Sequence, residues 1–64
     1  MEINNPKYNI GDTVYFKYHG FLSTGKIFKI NIEISEDGTE IRYWIKTKNS
    51  TFSIKEEFIT KVDN

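Results

Sequence analysis

Apolar and polar residues alternate along most of this chain, and helical spacing is almost absent. Phe28, Ile30, Ile32 and Ile34 alternate with Lys29, Asn31 and Glu33. Ile41, Tyr43 and Ile45 alternate with Arg42, Trp44 and Lys46, and Val14, Phe16 and Tyr18 with Tyr15, Lys17 and His19. Side chains of a β-strand point to opposite faces in turn, so a period of two gives each of these segments one buried face and one wet face. A chain so patterned folds as an antiparallel sheet or not at all.

Punctuation divides the pattern into strands. Gly11 and Asp12 precede the first strand, where Gly permits unusual backbone angles and Asp can hydrogen-bond its own turn. Asp37-Gly38 predicts a hairpin whose two central residues take positive φ. Lys48-Asn49-Ser50 is a polar turn before Thr51–Ile54, and KEEFI (55–59) is one tight helical turn before a last short strand. Ile27 and Phe28 cannot both face inward on a regular strand, so a bulge or bend falls within 27–29. Such a bend lets a small sheet curl on itself.

At 64 residues the chain is one domain with a small core. It has no cysteine, which excludes disulfides and thiolate metal sites. The N-terminus lacks the basic start and apolar run of a signal peptide, and no stretch approaches the ~20 apolar residues that cross a bilayer. The expected location is the cytoplasm. Abundant Ile, Asn and Lys hint at an AT-rich bacterial or phage genome.

GDTVYF (11–16), GKIFKI (25–30), YWI (43–45) and FSIKEEFI (52–59) together resemble the SH3-like small barrels, including Tudor-like and KOW-like members. The resemblance implies an all-β fold: a five-stranded antiparallel barrel over residues 9–62 with one short 3₁₀ turn before the last strand. Residues 1–8 are then an N-terminal extension and 63–64 a tail. Barrels of this kind bind proline-rich peptides, methylated side chains, nucleic acid or partner proteins, and the fold does not choose among them.

Motifs for chemistry are incomplete. Gly20, Gly25 and Lys26 match a phosphate-binding loop, but Ile27 stands where a hydroxyl must hold magnesium, and a strand follows instead of a helix. Glu33, Ser35, Asp37 and Gly38 open like a calcium loop, yet Trp44 occupies the position of the closing carboxylate. His19, the only histidine, has no nucleophile at a telling spacing. Glu56 and Glu57 point apart on the helical turn; one is expected to cap or pair locally with Lys55 or Lys61 and the other to be solvated. No enzyme activity and no cofactor are expected.

The aromatic residues carry the functional expectation. Five Phe, four Tyr and one Trp exceed what one small core needs. Phe16 and Phe52, with Tyr43 or Phe58, suit the interior, while parity turns Tyr15 and Trp44 outward and leaves Tyr18 and Phe21 at the first loop. Exposed aromatics on a rigid sheet are natural binding anchors. Nine basic and nine acidic residues cancel, but they are segregated: residues 31–40 hold four acids and no base. Lys17, Arg42 and Lys46 share the outward face with Tyr15 and Trp44.

The expected function is therefore a non-enzymatic module that binds a protein or peptide. Tyr15, Tyr18, Phe21, Tyr43 and Trp44 are the expected contacts, and Lys17, Arg42 and Lys46 set the partner's polarity. An accessory or inhibitory role in a phage or mobile element suits the size. The alternative is single-stranded DNA or RNA on the same face, with amines for phosphates and rings for bases. Homodimerisation through an edge strand is a third reading.

Overall fold

The computed structural model describes residues 6–61. Five antiparallel strands run β1 (Thr13–Tyr18), β2 (Phe21–Ser35), β3 (Gly38–Lys46), β4 (Thr51–Lys55) and β5 (Ile59–Lys61), with a 3₁₀ turn at Glu56–Phe58. They form one sheet in the order β4-β3-β2-β1-β5. β1 pairs with both β2 and β5, and β3 with both β2 and β4. Among the described residues no ladder joins β4 to β5, so the sheet is curled but not closed. The all-β class, the antiparallel pairing and the 3₁₀ turn agree with expectation; a closed barrel does not form.

β2 makes the curl. Its first half pairs with β1, from Phe21 against Tyr18 to Lys26 against Thr13. Its second half pairs with β3, from Lys26 against Lys46 to Ser35 against Gly38. The register slips between Ile27 and Lys29, leaving Phe28 as the extra residue. The expected bulge is therefore present, with Ile27 in the core and Phe28 exposed, the reverse of an inward Phe28. β3 decides this, since Ile27 faces Ile45 across the ladder.

Close approach at the bend requires Gly25. A Cβ there would lie 2.7 Å from both Ile45 Cγ2 and the Lys46 carbonyl oxygen. The glycine sits within β2, which begins at Phe21. The β1–β2 turn is instead the pair His19-Gly20, with φ of 51° and 83°. Positive φ at both central positions is the hairpin geometry expected at Asp37-Gly38. There only Gly38 takes positive φ, at 130°, and Glu36-Asp37 form the turn, with the Asp37 N–H donating to Ser35 Oγ at 3.3 Å.

The interior faces of all five strands meet in one core: Val14, Phe16, Ile27, Ile41, Tyr43, Ile45, Ile54 and Ile59. Tyr8, Ile30 and Phe52 pack at its margin. Tyr8, within the expected N-terminal extension, thus packs against the folded body. Its hydroxyl donates to the Ile59 carbonyl at 2.9 Å, and its ring meets Tyr43 edge-on at 5.4 Å between centroids. Gly11-Asp12 set β1 as expected: Gly11 takes φ of 95°, and Asp12 Oδ2 accepts from the Asn9 N–H at 2.9 Å. The expected tail at 63–64 lies outside the described residues. No helix among the described residues is long and apolar enough to cross a membrane.

Candidate functional site

The open seam of the sheet places the end of β1 opposite β4. Between them lies a groove of about 420 Å³, lined by Lys17, Tyr18, His19 and Gly20 on one side. Arg42, Ser53, Ile54 and Lys55 line the other side, and Phe58 completes it. No carboxylate is among these residues. A second hollow of about 360 Å³ shares Lys17 and Phe58 and adds Tyr15, Leu22, Glu57 and Thr60. Lys17 and Phe58 therefore form a ridge between two adjoining grooves.

Each wall has a local cause. Tyr18 follows Phe16 on the inward side of β1, but β5 ends its pairing opposite Phe16, so Tyr18 emerges where the sheet has no fifth strand. Its ring is fixed against Phe52 at 4.7 Å and His19 at 4.3 Å between centroids. Phe58 projects from the 3₁₀ turn and remains half exposed, although its type suited it to the core. Arg42 and Lys55 are cross-strand partners, and Glu40 holds both heads. Its Oε2 accepts from Arg42 Nε at 2.9 Å, and its Oε1 lies 3.6 Å from Lys55 Nζ. The Arg42 hydrogen bond, with the nearby cations, holds the Glu40 carboxyl below its ordinary range. Arg42 also reaches the Ser53 carbonyl at 3.4 Å. Arg42 and Lys55 are thus held in place by a carboxylate outside the groove.

Of the residues expected at the site, Lys17, Tyr18 and Arg42 meet in the seam groove, and Tyr15 lines its neighbour. Four others do not join them. Tyr43 is fully buried, so its ring supports the core and touches no partner. Lys46 is exposed but paired with Thr51 at the far end of β3. Phe21 is 74% exposed beyond the groove. Trp44 does not share a patch with Tyr15: their neighbours on β2, Lys29 and Thr24, are separated by the bulge.

Trp44 is half-buried, with Lys29 Nζ 6.0 Å from the centre of its ring. Its indole N–H is buried and meets no acceptor among the described residues. An aromatic cage of Tyr18, Phe21, Tyr43 and Trp44 is therefore not assembled. His19, Lys55 and Phe58 take the missing places at the groove. Strand parity could not find them, because the seam joins β1 and β4 through curvature and not through pairing.

Glu56 also departs from expectation, while Glu57 is exposed, as expected of one of the pair. Glu56 accepts from the Tyr43 hydroxyl at 2.6 Å and the Lys7 N–H at 3.2 Å, so its partners are a core tyrosine and backbone, not a lysine side chain. Burial first, then this hydrogen bond, pushes the Tyr43 hydroxyl up to about 12. Burial, then the charge of Glu56, also raises Tyr8. Among the described residues no three His, Asp or Glu side chains gather where they could hold a metal ion.

No protein-family model matches the chain, and no curated protein or solved structure is significantly similar to it.

Proposed function

We propose that this chain is a non-enzymatic interaction module that takes an acidic, extended segment of a protein partner into the seam groove. The observation that carries the reading is the lining: Lys17, Arg42 and Lys55 beside Tyr18 and Phe58, with no carboxylate. Aromatic faces bury area at little entropic cost, and cations at the rim favour an acidic partner and speed its approach. The free edge of β4 runs along the same groove, and an extended segment can add its backbone hydrogen bonds there. An SH3-like architecture is part of the same reading. The strand order, the bent β2 and the 3₁₀ turn before β5 support it.

Single-stranded nucleic acid is the competing reading on the same cations. Half-burial of Trp44, with Lys29 over its ring, weighs against it, since stacking needs an open face. The test is a heteronuclear NMR titration with three probes: an acidic peptide carrying spaced leucines, its lysine counterpart, and an oligothymidylate. The expected result is shifts at Lys17, Tyr18, Ser53 and Lys55 with the acidic peptide alone. Oligothymidylate binding that weakens steeply with salt selects nucleic acid instead. Silence with all three probes removes the groove as a site.

A further inference from the structure

The β2–β3 ribbon outruns its neighbours. β1 leaves β2 at Lys26, and β4 meets β3 only from Arg42 to Lys46. Beyond Ile32 and Ile41, the segment from Glu33 to Glu40 is therefore a two-stranded arm that no other strand among the described residues flanks. The body measures 37 × 26 × 16 Å, elongated for so short a chain. A lone ribbon is marginal in water and gains stability from a covered face.

The arm has such a face. Ile30, Ile32 and Ile34 continue the inward side of β2, opposite Tyr43, Ile41 and Thr39. Ile32 is 49% and Ile34 75% exposed. The alternation thus keeps isoleucine on one side beyond the point where the chain's own core ends. Around it stand Glu33, Glu36, Asp37 and Glu40, with no base between 31 and 40.

Charge decides what can cover this face. Two arms laid against each other would bring two acidic tips together. The seam groove has the opposite sign, and it is apolar at Tyr18, Ile54 and Phe58. It also starts at Arg42 and Lys55, beside the root of the arm. Arm and groove are adjacent on each molecule, so a two-fold axis near Arg42 brings each arm to the other molecule's groove.

We propose that two copies of this chain exchange arms, each laying Ile32 and Ile34 in the seam groove of the other with Glu36 and Asp37 toward its Lys17 and Lys55. The inference rests on the groove being a site for acidic segments and names a second copy as an occupant. Reciprocal exchange uses both complementary surfaces of both copies, so assembly closes at a dimer.

Sedimentation velocity from micromolar to near-millimolar protein, at low and high salt, tests it. The expected result is a monomer–dimer equilibrium weakened by salt. Ile34→Asp and Lys17→Glu should each raise the dimer dissociation constant by roughly tenfold or more. Both residues are exposed, and circular dichroism of the variants confirms the fold. A charge-reversed pair gives the decisive arm: the double variant Glu36→Lys, Asp37→Lys and the single variant Lys17→Glu should each be monomeric alone and dimerise when mixed.

A dimer indifferent to Ile34→Asp and Lys17→Glu, or open-ended polymers, overturns arm exchange. A strictly monomeric wild type that still binds the acidic peptide overturns the exchange and leaves the groove reading intact. A monomer that also ignores the peptide overturns both.

Discussion

The Tyr43 hydroxyl donates to Glu56 Oε2 at 2.6 Å, tying the middle of β3 to the turn that launches the last strand. The same hydroxyl oxygen accepts from the Tyr8 N–H at 3.3 Å. One phenol thus joins the N-terminal segment, the central sheet and the 3₁₀ turn. Tyr43→Phe keeps the ring and removes all of this. A hydrogen bond to a charged group contributes about 1.5–3 kcal/mol, and a loss in that range is expected in urea unfolding. A loss below about 0.5 kcal/mol would mean the bond adds no more than a surface contact.

The same group sets an alkaline limit. Its folded value of about 12 lies above the unfolded 10.0. Its contribution is therefore complete below pH 10 and drains away as pH rises toward 12. Tyr8 shifts in the same direction and steepens the fall. Melting temperature should drop across this window in the wild type and drop less in Tyr43→Phe. Identical profiles for the two would sink the assignment.

Gly25→Ala tests the bend of β2. The new methyl would meet Ile45 Cγ2 and a backbone oxygen of Lys46, both at 2.7 Å. The backbone partner cannot swing aside as a side chain would. Overpacking of this kind costs about 1–3 kcal/mol, and the ladder between Lys26 and Lys46 should loosen first. Amide exchange at the facing pair Lys26 and Lys46 reads this; unchanged protection would show that the strands have room.

His19→Asn should stabilise the β1–β2 turn. His19 sits at φ of 51° ahead of Gly20, and Asn-Gly suits that geometry best. The gain is about 0.5–1 kcal/mol, less whatever the ring contact with Tyr18 supplies. A destabilised His19→Asn would mean that the contact outweighs the backbone preference. In the peptide titration this variant also reports whether the imidazole belongs to the groove.

Trp44→Phe removes an indole N–H that is buried without an acceptor among the described residues. Leaving such a donor unpaired costs about 1–3 kcal/mol, which offsets the apolar area that the smaller ring gives up. Stability should change by less than about 1 kcal/mol. A larger loss would show that the N–H finds an acceptor in solution.

The strands were legible because alternation depends only on neighbours in sequence. The positions of Val14, Phe16, Ile41, Tyr43 and Ile45 follow from parity and lie inside as parity requires. The bulge was legible as a conflict between Ile27 and Phe28, but not its resolution, which depends on Ile45 across the ladder. The His19-Gly20 turn escaped notice because histidine only occasionally takes positive φ.

The candidate groove was half legible. Lys17, Tyr18 and Arg42 carry the right chemistry, but parity joined them to Trp44, while the curl of β2 joins them to Lys55 and Phe58. Curvature is set by Gly25 and the Phe28 bulge acting together, and neither announces its angle in sequence. Tyr43 suited both the interior and the contact set for a related reason: a tyrosine is amphipathic, and only the position of Glu56 decides that its hydroxyl is satisfied indoors.

The pairing of β1 with β5 gives translation a particular order of risk. Val14 faces Lys61 and Phe16 faces Ile59, contacts that span most of the chain. A ribosome delivers β1 early and β5 last. Throughout synthesis β1 can meet β2, yet its other edge stays bare until residue 59 emerges. Pairings of such long range also form slowly. A product truncated before Ile59 would hold most of the sheet while presenting an unsheltered strand edge beside Val14 and Phe16, the kind of surface on which unfinished chains aggregate.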